Sequence, residues 1–414
     1  MSKSVLHLLS QRPLLTGSGM TLDALVREAA RSGWNQRIVV GLPAGEENTG
    51  VGGLPSEACL PLYFETSELP FPVPGMSDVM PYRSTVFSQM DKAAIAQYES
   101  AWRRHLEDVV RHSRPDLIHV HHIWWLAALV KDVAPDVPVV NHCHATGLRQ
   151  IELCPQFKTQ IVTGVRRNER FVCLHRQDAQ KLIRILDIDA GRVDVVGAGY
   201  RQNIFGTASD YEAERSKSPT ILYAGKFSDA KGLPWLLDAF ERLLETRPEA
   251  RLHLAGSGTG PEAEKIIERV QGMHETVLWH GHIEADKLAS LMRASSVFVL
   301  PSFYEGLPLV LVEAIACGCT VVATGLPGVM DSLYPSLKER MHILKPPPLE
   351  NVDQPVSGFG EAFTEEIRKA LMAALDSSGE MVVPPSASLQ PFTWSAVFSR
   401  VESVWEKLLK RADA

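Results

Sequence analysis

Short runs of aliphatic and β-branched residues alternate with amphipathic helical segments along almost the whole chain. The run VLHLL comes first, the segment TLDALVREAARSG follows with helical periodicity, and RIVVGLP is the next apolar run. Parallel strands buried on both faces read as continuous apolar runs, and each crossover helix returns the chain to the same end of the sheet. The alternation therefore predicts an α/β fold built on doubly wound parallel sheets.

The alternation occurs in two series, which predicts two Rossmann-like domains. The first series continues through DLIHVHH, VPVVNHCH, RFVCLH and RVDVVGAG, and the second runs through TILYAGKF, RLHLAGSG, VLWHGH, VFVLPS and TVVAT. A polar segment rich in helix breakers, 201–219, lies between them. We expect an N-terminal domain over 1–205 and a C-terminal domain over 206–392, facing a central cleft. The amphipathic segment 393–414 is expected to pack back on the first domain.

Two segments interrupt the alternation. The stretch 51–85 is rich in proline and shows no clear periodicity, and loops of that length are usually functional or disordered. The stretch 345–360, also rich in proline, is interpreted as a surface excursion. The sequence assigns no role to either stretch.

Composition narrows the class of protein. The 414 residues are 45% hydrophobic and 22% charged, as in water-soluble globular proteins. No apolar run reaches the ~20 residues of a membrane-spanning helix, and the N-terminal apolar stretch is too short for a signal peptide. We therefore expect a cytoplasmic protein without a transmembrane segment. The six cysteines are scattered and show no disulfide framework.

The charge distribution bears on the binding partners. With a net charge of −7 and a pI near 6.1, the chain lacks the basic stripe of a nucleic-acid-binding protein, so no nucleic-acid partner is expected. The helical segment 102–114 has one basic face, which leaves a peripheral contact with lipid headgroups open as an alternative to a solvated surface. The sequence does not indicate an oligomeric state.

A strand, a short loop with two lysines and a helix start together form a candidate anion site. Gly225 and Lys226 close the strand TILYA, and Lys231 and Gly232 open the next helix. Backbone N–H groups and the helix dipole favour anions at such a helix start, and two ammonium groups add to the attraction. Lysine suits phosphate as a compact point charge, so the loop is a candidate phosphate site. Two solvated surface lysines are the alternative.

The stretch SFYEGLPLVLVEAIACG holds two glutamates, Glu305 and Glu313. Pro308 favours the first position of a helix and Gly318 favours its end. Glu305 is therefore expected in the preceding loop, at the carboxyl edge of the sheet. Glu313 is expected inside the helix among apolar neighbours, where an unpaired carboxylate is costly. It therefore pairs with a basic side chain or accepts hydrogen bonds from ligand hydroxyls.

Two glycine-rich turns follow strands at the expected sheet edges. Gly17 and Gly19 in TGSGM, and Gly256 and Gly258 in LAGSGTG, allow a close approach of the backbone to a ligand. Neither turn is a full dinucleotide-binding fingerprint, so each is a weak signal alone.

Histidines cluster at the ends of two strands of the first series: His119, His121, His122, His142 and His144. Side chains two positions apart share a face of a strand, and both strand ends are expected to face the cleft. A histidine that hydrogen-bonds a substrate is the favoured interpretation. The alternative is a zinc site with ligands from His121, His142, Cys143 and His144. No carboxylate is spaced to complete such a site, and no metal is expected.

With these residues, the chain resembles a retaining glycosyltransferase of the GT-B fold, in the large family 4. The resemblance extends over about 5–409 and is strongest over 225–324. The E-x7-E signature of that family stands here as Glu305 and Glu313, and its G-[RK]-x4-KG phosphate motif as GKFSDAKG. The chain departs from the family at GLPGVMDS, where an acidic residue is missing or displaced to Asp331. This departure bears on the sugar and the acceptor rather than on the reaction class.

The resemblance implies a donor site in the second domain. Lys226 and Lys231 would hold the diphosphate of a nucleotide-sugar. Glu313 would accept hydrogen bonds from the ribose hydroxyls, and Glu305 would contact the transferred sugar. The other implied donor contacts are the backbone N–H groups of Leu307 and Leu309, the turn at Gly256, and a base site at His282 and Ile283.

The resemblance also implies contacts from the first domain. The turn at Gly17 and Gly19 would offer backbone N–H groups to the same phosphates, and His144 would touch the sugar as a catalytic-site residue. Arg149 and His121 are the candidates for contacts with the acceptor.

The implied reaction is that of a hexosyltransferase. A sugar moves from a nucleotide-sugar, with a UDP-sugar as the favoured donor, to an unidentified small-molecule, glycan or lipid acceptor. The resemblance implies net retention by front-face attack, no metal, and no cofactor besides the nucleotide-sugar co-substrate. The alternatives are another GT-B enzyme, such as a nucleotide-sugar epimerase, and a non-catalytic nucleotide-sugar-binding protein.

Overall fold

The computed structural model describes most of the chain, in five stretches: 3–78, 80–206, 219–350, 354–377 and 386–412. The chain forms two compact units: Met1–Ala198 with Trp394–Ala414, and Gly199–Thr393. Each unit contains a six-stranded sheet in which neighbouring strands run parallel. The expected α/β class with two parallel sheets is confirmed.

The chain leaves the first unit slightly before residue 205, the boundary expected from the sequence. Tyr200 and Phe205 are buried in the hydrophobic core of the second unit, and the N–H of Tyr200 donates to the carbonyl of Phe392. These apolar side chains tie the segment to the second unit. The part of the expected linker over 207–218 lies outside the described residues.

The first unit follows the strand–helix alternation of the sequence. Its strands are β1 Ser4–Leu8, β2 Asn35–Val39, β3 Gly41–Pro43, β4 Leu62–Phe64, β5 Pro74–Gly75, β6 Thr85–Val86, β7 Leu117–His121, β8 Val139–Cys143, β9 Arg170–Cys173 and β10 Val193–Val195. Its helices before the crossing to the second unit are α1 Gly17–Arg31, α2 Lys92–Ser113, α3 Trp125–Val133, α4 Ala145–Leu153, α5 Lys158–Val165 and α6 Arg176–Leu186. The main sheet has the order β10-β9-β8-β7-β1-β2. The winding direction reverses between β1 and β7, and ligands of such sheets bind at the carboxyl ends beside this switch point.

The proline-rich stretch 51–85 is part of the packed first unit. β3 pairs with β4 and β5 pairs with β6, each in parallel. Phe64, Leu69 and Val73 are buried in the same core as Tyr98 and Trp102 of α2. The apolar side chains between the prolines therefore anchor the stretch. Its sequence shows no period because the two short strand pairs are separated by turns.

The second unit repeats the architecture. Its strands are β11 Thr220–Ala224, β12 Arg251–Ala255, β13 Val277–Trp279, β14 Val297–Leu300, β15 Thr320–Thr324 and β16 Met341–Leu344. Its helices are α7 Leu233–Leu244, α8 Pro261–Gly272, α9 Ala285–Ala294, α10 Leu309–Ala316, α11 Tyr334–Leu337, α12 Gly360–Ser377 and α13 Ser386–Leu389. The order β13-β12-β11-β14-β15-β16 places the switch point between β11 and β14. The described part of the excursion at 345–360 is mostly exposed, and 351–353 lie outside the described residues.

The last helix, α14 Trp394–Ala412, packs in the first unit. Its Trp405 is fully buried in a cluster with Trp34 and Val5. The indole rings of Trp405 and Trp34 meet edge to face, with centroids 5.0 Å apart. The apolar face of this amphipathic helix thus covers one side of the first sheet. Across the described stretches, every helix falls short of the length and apolarity that a membrane crossing requires.

Candidate active site

The switch point of the second sheet brings Lys231 and Glu305 into contact. β11 leads into the short turn Asp229–Lys231, and β14 leads into the loop that holds Glu305. The Nζ of Lys231 lies 2.6 Å from Oε1 of Glu305, and the two side chains are 25% and 19% exposed. A contact this short is a charge-assisted hydrogen bond. Two residues that the sequence singled out in separate motifs therefore form one ion pair.

Two glycines let the loops at this edge pack closely. Gly232 has a φ of +70°, and a Cβ there would lie 2.1 Å from the carbonyl oxygen of Pro301. Gly256 has a φ of +129°, and a Cβ there would lie 2.0 Å from the carbonyl oxygen of Gly225. A side chain at either position would push the backbones apart. Gly256, expected near the donor, thus also has a packing role.

Lys226 is exposed on the loop after β11. The hydroxyl of Tyr223 donates to the carbonyl of Lys226 at 2.7 Å and supports this loop. Burial, helped by the charge of Glu305, raises the pKa of Tyr223 well above its usual value, so the hydroxyl keeps its proton. The hydrogen bond from Tyr223 therefore holds the backbone of Lys226 in place, while the side chain is exposed to solvent.

Glu313 lies on α10, which begins at Leu309, one residue later than the start expected from Pro308. Burial raises the pKa of Glu313 to about 7, and the charge of Arg201 opposes that rise. The carboxylate accepts no hydrogen bond from the described residues. The protein thus supplies a favourable charge to Glu313 without satisfying its oxygens.

The start of α10 offers fewer free backbone donors than expected. The N–H of Leu309 donates to the carbonyl of Leu307 at 2.9 Å, so that group is engaged within the turn. The N–H of Leu307 makes no hydrogen bond to a described residue. Elsewhere at this edge, in the turn after β13, His282 is exposed and Ile283 packs half-buried against the core.

In the first unit, the glycine turn forms the capped start of α1. The hydroxyl oxygen of Thr16 accepts the N–H of Gly19 at 3.1 Å, as an N-cap does. A Cβ on Gly19 would lie 2.7 Å from the backbone nitrogen of Leu14, whereas one on Gly17 would meet open space. The N–H of Gly19, expected to bind phosphate, therefore serves the cap.

A stack of buried histidines runs across the centre of the first sheet: His7, His119, His121, His142 and His144. The rings of His142 and His144 are closest, with centroids 4.6 Å apart and planes inclined by 8°. Burial lowers the pKa of every member, that of His7 to about 4, so the stack is neutral. His121 is 1% exposed and its Nε2 is buried. The geometry of His121 in this structure therefore does not support its expected contact with an acceptor, which stays a prediction.

Three of these side chains bear on the zinc alternative: His121, His142 and His144, whose ligand nitrogens lie within 4.8 Å of one another. Their planes are inclined by only 8° to 17°. The rings of His142 and His144 are stacked face to face, with centroids 4.6 Å apart, whereas a metal lies near the plane of each imidazole that binds it. Cys143 is a free thiol that is hydrogen-bonded to the thiol of Cys173 on the neighbouring strand. The spacing of the three nitrogens leaves the zinc alternative open, and the absence of a metal stays a prediction.

The sequence did not indicate three side chains that lie near these sites. His7 on β1 lies in register with His119 on β7, which the shared strand parity could have indicated. Trp405 donates its indole N–H to Nδ1 of His119 at 2.9 Å, a contact between distant segments that no local pattern signals. Arg201, the charge near Glu313, lies in the expected linker. Arg149, the remaining acceptor candidate, is half-buried on α4.

Each unit matches a family model. Residues 16–199 match the family described as glycosyl transferase 4-like domain, and residues 218–343 match glycosyl transferases group 1. The D-inositol 3-phosphate glycosyltransferase of Xylanimonas cellulosilytica is 27% identical over 328 residues, which cover 72% of this chain and 73% of that protein. The sequence similarity therefore extends over both units.

Solved structures share the fold over the full chain. The sucrose-phosphate synthase of Thermosynechococcus elongatus superposes with a TM-score of 0.70 at 15% identity, covering 99% of this chain and 100% of that chain. Anabaena HepE in complex with UDP and glucose gives a TM-score of 0.64 at 16% identity, covering 97% and 99%. At such identities the likeness shows the fold alone, and that fold is GT-B.

Proposed function

Since this chain is a glycosyltransferase with the GT-B fold, we propose that it transfers a sugar from a nucleotide-sugar to an acceptor with net retention. The observation that carries the proposal is the ion pair of Lys231 and Glu305 at the switch point of the second sheet. A cation suited to phosphate thereby stands beside a carboxylate at the ligand-binding edge. UDP as the nucleotide is supported by the complex of HepE with UDP and glucose.

Lys226 and Lys231 bind the diphosphate of the donor in this proposal, and Glu305 contacts the transferred sugar. The 2.6 Å ion pair orients Lys231 and Glu305 before the donor binds. When the donor binds, the ammonium group of Lys231 contacts both the phosphates and the carboxylate of Glu305. Lys226, which is exposed on the same loop as Lys231, also contacts the diphosphate.

Glu313 accepts hydrogen bonds from the ribose hydroxyls of the donor. Two hydroxyl donors would supply the hydrogen bonds that the described residues do not, and they would favour the ionised carboxylate. The base lies against the turn of His282 and Ile283, and Gly256 keeps the neighbouring loop close to the phosphates. The largely buried carboxylate on α10, which accepts no hydrogen bond from the described residues, supports this assignment.

Backbone N–H groups add to the two lysines. The N–H of Leu307 is available to a phosphate oxygen, and that of Leu309 joins it once its bond to Leu307 opens. From the first unit, the start of α1 at Gly17 and Gly19 attracts phosphate through its dipole. Because Thr16 caps the N–H of Gly19, phosphate would have to share that donor.

The acceptor side belongs to the first unit. His144 touches the transferred sugar, and Arg149 contacts the acceptor. We propose a phosphorylated sugar or polyol as the acceptor, which would match the guanidinium of Arg149. The names of the inositol 3-phosphate glycosyltransferase and the sucrose-phosphate synthase support this class.

The proposed reaction depends on stabilising the negative charge that develops on the departing phosphate. The bond between the anomeric carbon and the phosphate oxygen breaks as the acceptor oxygen bonds to the same face of that carbon, which retains the configuration. The departing phosphate oxygen takes the acceptor proton. Two lysines and two helix starts stabilise the growing negative charge without a metal, and such preorganised groups are usually the largest catalytic term.

Incubation with UDP-, GDP- and ADP-sugars, with and without sugar phosphates, tests the proposal. We expect thermal stabilisation by one donor, release of its nucleoside diphosphate with an acceptor, and an α product from an α donor by NMR. Neither binding nor nucleotide release with any donor would refute the proposed function. An inverted product would refute retention alone.

Two variants separate binding from turnover. Glu305→Gln keeps the shape of the side chain and should lower kcat at least about 100-fold with donor affinity within about threefold, because it removes charge beside the sugar. Lys231→Ala should weaken donor binding itself. Both are measured by calorimetry and initial rates. An unchanged kcat in Glu305→Gln would contradict the role of Glu305.

A further inference from the structure

His144 is the member of the histidine stack that keeps contact with solvent. It is 6% exposed, whereas His142 is fully buried. The Nε2 of His144 lies 3.4 Å from Nδ1 of His121. This contact engages Nε2, so Nδ1 is the ring nitrogen that remains for a ligand. The position of the proton decides whether that nitrogen donates or accepts.

Hydrogen bonds indicate where two neighbouring histidines carry their protons. The Nε2 of His122 lies 3.0 Å from the amide oxygen of Gln11, so this nitrogen carries the proton. The Nδ1 of His119 accepts the indole N–H of Trp405, so the proton of His119 is on Nε2. Each of these rings is a defined neutral tautomer. The bonded pair beside them is the one whose protons need a further argument.

Two arrangements satisfy the contact between His121 and His144. If Nε2–H of His144 donates, His121 carries its proton on Nε2, where the N–H is buried without an acceptor. If Nδ1–H of His121 donates, the buried Nε2 of His121 is a lone pair instead. The Nε2–H of His119 is already one buried donor without an acceptor, and a second one would add to the cost, because an unpaired donor loses its full hydration. The second arrangement is therefore favoured.

We propose that His121 is a positioning residue that holds His144 in its Nδ1–H tautomer. His144 then presents a hydrogen-bond donor to an oxygen of the transferred sugar. The inference rests on the proposed function, in which His144 touches that sugar. An imidazole in the wrong tautomer keeps its place but loses its function, so His121 governs turnover without touching substrate.

Two substitutions of His121 distinguish this role from packing. His121→Asn keeps an amide N–H near the place of Nδ1, whereas His121→Leu keeps comparable volume and removes the donor. His119→Leu is the matched control, since His119 lies on the same strand face, is equally buried, and bonds to Trp405 rather than to His144.

The first readout is the tautomer itself, in the full-length chain labelled with 15N-histidine. Side-chain 15N shifts tell a protonated imidazole nitrogen from a bare one, and His144→Asn assigns the signals. We expect Nδ1–H for His144 in the wild-type protein, in His121→Asn and in His119→Leu. In His121→Leu we expect the Nε2–H form or a mixture.

The second readout is kinetic. In His121→Leu, kcat should fall about tenfold or more with the donor KM within about threefold, since a hydrogen bond made in the transition state is lost. His121→Asn should recover most of that loss, and His119→Leu should retain the wild-type kcat.

Three results would overturn the inference: an Nε2–H tautomer of His144 in the wild-type protein, an unchanged tautomer in His121→Leu, or an equal loss of kcat in His119→Leu. The wild-type spectrum decides the first even if a variant fails to fold. A wild-type protein that binds no nucleotide-sugar and transfers no sugar would instead refute the proposed function, because the tautomer is read without substrate.

Discussion

Glu313 shows how one side chain links folding to binding. It lies on a helix whose neighbouring residues are buried, and burial raises its pKa to about 7. The charge of Arg201 opposes that rise but supplies no hydrogen bond to the carboxylate. The side chain therefore destabilises the folded second unit whenever it is ionised without a ligand, as expected of a group kept for binding.

We expect Glu313→Gln to raise the thermal unfolding midpoint at pH 8 and to raise it much less at pH 5. The folded pKa of about 7 lies above the ordinary 4.5, so the stability from the protonated form is complete below about pH 4.5. It is lost as the pH rises through 7. At pH 8 the loss is on the order of 3 kcal/mol, and the neutral amide avoids it.

Thermal unfolding of both proteins at pH 5 and pH 8 measures this difference. Glu268→Gln is the control, because Glu268 is exposed on α8 of the same unit. An equal shift of the midpoint at both pH values would show that Glu313 does not titrate as described. Binding of the nucleotide-sugar should also tighten from pH 6 to pH 8 in the wild-type protein but not in Glu313→Gln.

At the scale of elements, the start of α1 is a capped turn held against its own loop. Thr16 caps Gly19, and the backbone of Leu14 lies so close to Gly19 that a Cβ has no room. The sequence predicted the helix start and its glycines correctly. It could not show that the glycine serves loop packing, because the contact depends on how the preceding loop folds back.

Gly19→Ala and Gly17→Ala form a matched pair on the first turn of α1. Gly19→Ala should lower the free energy of unfolding of the first unit by about 1–3 kcal/mol, because the Cβ would lie 2.7 Å from the nitrogen of Leu14. Gly17→Ala meets open space and should be neutral or stabilise by up to about 1 kcal/mol. Urea unfolding compares them, and equal effects would contradict the packing role.

At the scale of the whole molecule, the chain crosses between its two units twice. It leaves the first unit after Ala198 and returns at Trp394, so the first core is completed by the last helix. Trp405 of that helix is fully buried and hydrogen-bonded to His119 at the centre of the first sheet. The stability of the first unit therefore depends on its most distant segment in sequence.

Trp405→Phe keeps most of the ring packing but leaves Nδ1 of His119 without its donor. We expect it to lower the free energy of unfolding of the first unit by about 1–3 kcal/mol, and Trp405→Ala by about 3–5 kcal/mol. Hydrogen exchange should rise in the first sheet and stay constant in the second. Lys407→Ala, at an exposed position of the same helix, should change neither, and equal losses in both units would disprove this dependence.

Local sequence patterns were enough to predict the parallel α/β class, the two series of strands, and the places of Lys226, Lys231, Glu305 and Glu313 after strands or on a helix. These predictions follow from local periodicity and helix start signals, which act over a few residues. The general rule that the loops after parallel strands lie at one edge of the sheet completes them. That information suffices because strand and helix patterns are encoded by near neighbours.

Tertiary structure alone decided what these side chains touch. The ion pair of Lys231 with Glu305, the bond of Trp405 to His119, and the burial of His121 join segments far apart in the chain. Whether a polar side chain is paired, desolvated or open to a ligand depends on such packing, since the same residue in the same local pattern can be a surface group or a site.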